Sequence, residues 1–216
     1  MKTKKVKEKK CAWCKKPFSP SYKTTEKVCS VSCGIDWAKN DIKEKNAKLE
    51  RAETKILKAG LLTHKDWLGI LQVKINIIAR TIDTEFSCIS SRRTKGQMHA
   101  GHFLTVGAHP NVRFHLFNIW KQTSRDNTYN GGNVTEYLFN LYRLFGNDFV
   151  NNEILKLDEK YPVTKLSVPE IKEAIEKCKE ILKRQKAGEF IAKTTQERIS
   201  IRIELNNLIG IYKCQS

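Results

Sequence analysis

The chain has no apolar run near the ~20 residues a membrane span needs. Its lysine-rich start is not followed by the apolar stretch of a secretory signal. Both absences point to a cytoplasmic protein. Acidic residues are scarce: 23 Asp and Glu stand against 40 Lys and Arg in 216 residues, a formal net charge of +17. That excess makes a polyanion the expected partner, and phosphate backbones are the commonest polyanions. The plain alternative is a solvated, lysine-rich surface. Cysteines number seven, an odd count, which together with the missing signal argues against a disulfide framework. A chain of this length buries one good core, or one core plus a small appended module.

Four of the cysteines sit close together. Cys11-Ala-Trp-Cys14 and Cys29-Ser-Val-Ser-Cys33 are two pairs with fourteen residues between them. Zinc needs four soft ligands at tetrahedral corners, and two such knuckles supply two each. A segment so short has no core of its own, so the metal supplies its folding energy. Phe18, Tyr22 and Val28 are expected to pack around it.

The remaining organisation is mostly helical. Residues 1–10, with six lysines and one glutamate, read as a basic arm. Residues 34–60 read as a charged linker helix with an irregular seam of Ile35, Ala38, Ile42, Leu49, Ile56 and Leu57, ended by Gly60. Thr63 and Asp66 predict a capping box opening a buried helix through Trp67, Leu68, Leu71, Ile75, Ile78 and Ile82. Between 86 and 123 the rhythm is that of a small β-hairpin, its second part near Val112–Phe117. Ser124 is expected to cap a short helix carrying Asn127, and a further helix runs from about Val134 to Phe145. Capping boxes at Ser167/Glu170 and Thr194/Glu197 open two C-terminal helices, the second with a stripe of Ile201, Leu205, Leu208, Ile209 and Tyr212. Cys178 and Cys214 read as ordinary thiols.

The chemistry concentrates between His99 and Asn127. His99-Ala-Gly-His102 places two imidazoles three residues apart, so strand alternation turns them to opposite faces unless Gly101 permits a bulge. The arrangement suits two roles, one histidine on a metal and the other beside a water, the minimal equipment for metal-assisted phosphodiester hydrolysis. Asn118 and Asn127 could add a carboxamide oxygen for a hard cation such as Mg²⁺, or orient the base. Arg113 and Lys121, with Arg92 and Arg93, are the candidate phosphate contacts. Each of these residues alone has a bland reading as a turn, cap or surface group; their clustering under so large a charge favours the joint one.

The sequence resembles the phage NinG (Rap) recombination proteins, endonucleases of branched DNA with an HNH-like ββα-metal site. The likeness spans the four-cysteine module, the charged helix, the helix at 64–82 and Ala100-Gly101-His102-Phe103. It continues through Arg113-Phe114, Asn118-Ile119, Lys121-Gln122, Asn127 and Gly132-Asn133. It implies an α+β, mostly helical fold: a treble-clef-like zinc knuckle (11–33), a linker helix (34–60), a nuclease domain (61–160) and C-terminal helices (161–216). It implies His102 as general base and His99 as metal ligand where the family often has an acidic residue. Asn127 would be a second ligand, and Asn118 would orient His102. The expected cofactors are one structural Zn²⁺ and a catalytic Mg²⁺ or Mn²⁺, and the products a 5′-phosphate and a 3′-hydroxyl. Family members carry a second set of four cysteines; here Cys88 keeps its place while Ser91, Thr123 and Asp126 stand at the others. Serine and threonine are poor zinc ligands, so ordinary packing of Phe86, Phe103, Phe114, Phe117 and Trp120 is expected to hold that unit.

The leading expectation is therefore a structure-selective DNA endonuclease of phage or prophage recombination acting in the bacterial cytoplasm; a homodimer would let two sites cut opposed strands. A zinc-dependent DNA-binding accessory protein without nuclease activity is the alternative, and a helical protein-interaction adaptor a third.

Overall fold

The computed structural model describes residues 8–21, 25–162 and 165–212. Tyr22 and Cys214, like the first seven residues of the basic arm, lie outside them. The chain divides into two compact units, Met1–Leu62 and Thr63–Ser216. Among the described residues no helix is long and apolar enough to cross a membrane.

The first unit holds the short antiparallel pair β1 (Lys9–Lys10) and β2 (Pro17–Phe18), then the 30-residue helix α1 (Val31–Gly60). Lys9 and Lys10 thus belong to the cysteine module rather than to the arm.

The second unit is mostly helical around one small sheet. Helix α2 (His64–Ile82) opens on the predicted capping box: Thr63 Oγ1 accepts from Asp66 N–H, and Asp66 Oδ2 accepts from Thr63 N–H. Its face of Leu71, Ile75, Ile78, Ala79 and Ile82 is fully buried. Strands β3 (Met98–His102) and β4 (Ile119–Thr123) pair antiparallel, His99 opposite Gln122 and Gly101 opposite Trp120. The second strand thus lies beyond the predicted Val112–Phe117. That stretch instead makes two short 3₁₀ turns, Pro110–Val112 with its proline at the opening turn and Leu116–Asn118. Proline pre-sets φ for a helical turn and cannot donate to a ladder, which takes the segment out of the sheet.

Asn127 sits on a π-helical turn, Arg125–Tyr129, and Ser124, itself helical in φ and ψ, makes no capping hydrogen bond. Helix α3 (Val134–Phe145) follows, then the short helices α4 (Asn147–Phe149) and α5 (Leu157–Lys160). Helix α6 (Val168–Lys186) has the predicted Ser167/Glu170 box and packs Ile171, Ile175, Cys178 and Ile181 into the same core as α2.

Helix α7 (Thr195–Ile209) differs from expectation in two ways. Thr194 caps Glu197 N–H, but the Glu197 carboxylate accepts from Lys193 N–H, so the box is half made. Its buried face also carries Arg198 and Arg202, while Leu208 is 41% exposed. The cause is Asp83, just past the end of α2. Its carboxylate accepts from Arg198 Nε at 2.9 Å and Arg202 Nη2 at 2.8 Å, all three residues being buried. Burial pushes the Asp83 carboxyl up, but the two guanidiniums outweigh it and hold the group at about 2. Arg202 lies 3.7 Å over the Trp120 ring, so the triad ties α2, β4 and α7 together.

Candidate functional site

The first candidate is the cysteine module. The sulfurs of Cys11, Cys14, Cys29 and Cys33 all lie within 4.8 Å of one another. Cys14 to Cys29 is 3.5 Å and Cys29 to Cys33 is 3.6 Å. A tetrahedral zinc with Zn–S of ~2.3 Å sets its sulfurs roughly 3.8 Å apart, so the quartet fits that ion. Lys15, after the first pair, takes a left-handed φ of 61° while its N–H bonds the Cys11 carbonyl. That closes a tight turn presenting both sulfurs to one point. Cys29 N–H donates to Cys11 Sγ at 3.4 Å, which favours a thiolate there.

The second candidate surrounds β3. Alternation does separate the two histidines. His99 turns to the π-turn, its Nδ1 3.5 Å from Asn127 Nδ2, and His102 turns to α2 and the following loop. No hydrogen bond among the described residues joins His102 to His99 or Asn127. The bulge that Gly101 would permit is absent, because all five β3 residues keep register with β4. Gly101 serves another purpose: a Cβ there would run into the side-chain amide of Gln122. Gln122 is fully buried, and its Nε2 donates to Ser90 Oγ and to the Gly132 carbonyl. Its Oε1, left without a conventional partner, lies against the glycine. Gln122 shares the His99 face, a placement that register alone could have exposed once the strand pair was known.

His102 Nε2 lies 2.9 Å from the Arg113 carbonyl. A carbonyl only accepts, so Nε2 carries the proton and Nδ1 keeps a lone pair. Burial pulls the imidazole below its ordinary range, against the raising effect of that carbonyl, and the ring is neutral at pH 7. Asn118 is fully buried and spends its whole amide on the loop between the strands: Oδ1 accepts from Leu104 N–H, and Nδ2 donates to the carbonyls of Leu104 and Val112. It holds the segment that leads to Arg113, whose carbonyl is the His102 partner.

The four places of the second cysteine set also converge. Cys88 Sγ lies 3.2 Å from Ser91 Oγ, 3.8 Å from Thr123 Oγ1 and 3.5 Å from Asp126 Oδ2. Asp126 Oδ2 accepts from Ser90 and Thr123, and Cys88 accepts backbone N–H bonds from Ser91 and Thr123. Packing of aromatic residues is therefore only part of what holds this unit; a buried polar knot joins the residues before β3 to the end of β4.

The predicted phosphate contacts differ in availability. Lys121 Nζ donates to the carbonyls of Asp83 and Thr84, closing the C-terminus of α2. Arg113 is half-buried, its Nε on Gln72 Oε1 and its guanidinium 4.8 Å over Phe114. Arg92 and Arg93 are exposed, Arg92 with a left-handed φ of 57°. Arg113 also lines a cavity of about 710 Å³ with His64, Leu68, Phe114, Asp158 and Lys165. The one acid of that lining, Asp158, is already engaged: its Oδ1 accepts from Asn111 and its Oδ2 lies 3.0 Å from His109 Nδ1. The lining thus carries Arg113 and Lys165 against one paired acid, and the Arg113 carbonyl links it to His102. From the sequence His64 reads as an exposed residue of the first turn of α2, which it is, and Lys165 is isolated along the chain.

The family model described as bacteriophage lambda NinG protein matches residues 3–189. The chain belongs to the NinG family. Protein ninG of Enterobacteria phage H19B is 30% identical over 161 residues, covering 66% of this chain and 78% of that protein. Protein ninG of Escherichia phage lambda is 29% identical, covering 64% and 74%, and that of Salmonella phage P22 is 29% identical, covering 62% and 72%. No solved structure matches this NinG chain. The matched span of the family contains the cysteine quartet, both strands and every candidate site residue.

Proposed function

We propose that this NinG protein is a metal-dependent endonuclease of branched DNA, with an HNH-like ββα centre formed by β3, β4 and the turn carrying Asn127. The observation that carries the reading is the approach of His99 and Asn127 on the strand whose last residue is His102. His99 Nδ1 and, after a half-turn of its amide, Asn127 Oδ1 offer one nitrogen and one oxygen to a cation. They include no carboxylate, so phosphate oxygens and water must complete the sphere. When bound there, Mg²⁺ or Mn²⁺ neutralises charge on the scissile phosphate and stabilises the leaving 3′ oxygen.

His102 works from the other face of the strand end. Its neutral ring, with Nε2–H held by the Arg113 carbonyl, leaves Nδ1 to take a proton from water. The reading requires one phosphate to reach His99 and Asn127 on one face of β3 and His102, three residues further along, on the other. Arg113 and Lys165 draw the adjoining backbone into the cavity, and the +17 charge supplies long-range attraction. Selectivity for branched DNA follows from shape rather than base contacts. The treble-clef-like knuckle, with one Zn²⁺, is a structural element or a second DNA contact.

A second reading, a DNA-binding accessory protein without nuclease activity, draws on the orientation of His102 away from the His99–Asn127 pair. One experiment separates them: a labelled four-way junction incubated with purified protein, with and without Mg²⁺ or Mn²⁺, beside His102→Ala and Asn127→Ala. Metal-dependent cutting to 5′-phosphate ends, lost in both variants while binding persists, supports the nuclease. Binding without cutting under either metal leaves the accessory reading.

A further inference from the structure

Helix α1 carries a pattern that neither the cysteine module nor the nuclease reading uses. Its 30 residues make a rod about 45 Å long, and its large apolar side chains face outward: Ile35 is 51% exposed, Ile42 58% and Leu49 62%. These three recur every seventh residue, and Ile56 continues the series. Four residues before Ile35 stands Val31; Ala38 and Ala52 keep the same intermediate spacing. This is a heptad seam with Ile35, Ile42, Leu49 and Ile56 at one core position and Val31, Ala38, Lys45 and Ala52 at the other. The irregularity seen in the sequence comes from Leu57, which lies off the seam.

We propose that α1 pairs in parallel, in register, with α1 of a second copy of this chain as a two-stranded coiled coil. Charge pairing at the flanking positions selects that occupant. Lys48 and Glu53 fall at flanking positions five residues apart, so in a parallel pair Lys48 of each copy faces Glu53 of the other. Neither has an ion-pair partner within its own chain among the described residues. The one charged core position, Lys45, is neutralised locally, its Nζ 2.7 Å from Asp41 Oδ2. A single lysine in such a seam costs stability. The pairing also explains why so polar a helix persists for eight turns, since an isolated helix of this composition gains little from propensity alone. The inference is independent of the nuclease reading.

The test is sedimentation equilibrium on the full, zinc-loaded chain. Wild type is expected at twice the chain mass. Ile42→Glu with Leu49→Glu should give single chains with zinc content and helical circular dichroism of the second unit retained. Lys48→Glu should weaken the dimer about tenfold or more, and adding Glu53→Lys should restore it. Single-chain mass for wild type at every accessible concentration overturns the proposal, and means the seam is covered within the chain or by another partner. A dimer that survives the Ile42/Leu49 variant overturns it in favour of another surface. Failure of Glu53→Lys to rescue Lys48→Glu overturns the parallel register.

Discussion

Asn118 grips Leu104 by both of its main-chain groups, accepting the N–H at 2.7 Å and donating to the C=O at 3.0 Å. A third bond, to the Val112 carbonyl at 3.3 Å, ties the far end of the same loop. Removing the side chain strands a buried N–H and two carbonyls. Asn118→Ala is expected to cost about 2–4 kcal/mol of stability, read as a lower denaturant midpoint. If the loop positions His102, the same variant should lower the cutting rate at temperatures where it is still folded.

The triad of Asp83, Arg198 and Arg202 is a buried network whose members are unequal in number. Asp83→Asn removes the carboxylate that two guanidiniums share and leaves buried positive charge. A loss of about 3–5 kcal/mol is expected, measured by urea unfolding. A milder effect from the paired change Asp83→Leu with Arg202→Met would show that the network specifies register more than it stabilises.

His115 links stability to pH. It is buried against Phe117, Tyr161 and Tyr212. Burial, with a smaller contribution from Lys160, holds it down at about 3, from an ordinary 6.5. Unfolding therefore takes up a proton wherever the pH lies between those values. Stability is complete above 6.5 and falls as the pH drops toward 3. From about pH 7 to about pH 4.5 the loss is about 2–3 kcal/mol from this group, and His115→Gln should flatten the slope across that window.

Lys121 and Arg113 should separate in a binding experiment. Lys121→Met frees two helix-terminal carbonyls and should lower stability by about 1 kcal/mol without changing the salt dependence of DNA affinity. Arg113→Met and Lys165→Met should each shallow the slope of log K against log salt by about 1. An unchanged slope in both would remove the cavity from the DNA interface.

Metal content distinguishes the two cysteine sets. The Cys11/Cys14/Cys29/Cys33 quartet is expected to hold one zinc per chain, lost in Cys33→Ala and on chelation, with unfolding of the first unit. Because Cys88, Ser91, Thr123 and Asp126 already converge, Ser91→Cys, Thr123→Cys and Asp126→Cys together should raise the zinc count to two per chain. Elemental analysis showing two in the wild type would mean the polar knot itself takes metal.

The local code of this chain was legible without coordinates. Thr63/Asp66 and Ser167/Glu170 mark helix starts because capping is a contact between near neighbours. The cysteine spacing set the knuckles, and strand alternation alone divided His99 from His102. What crosses the chain was not legible. The second strand was misplaced because Val112–Phe117 has strand-like residues while Asn118, reaching back to Leu104, decides where pairing begins. Arg198 and Arg202 lie outside the apolar stripe of α7 read from the sequence, and only Asp83, more than a hundred residues earlier, accounts for their burial. Lys121 read as a phosphate contact until the end of α2 arrived beneath it. In each case a side chain's role depends on which polar group the fold brings within three ångströms, and that distance is a property of the tertiary structure alone.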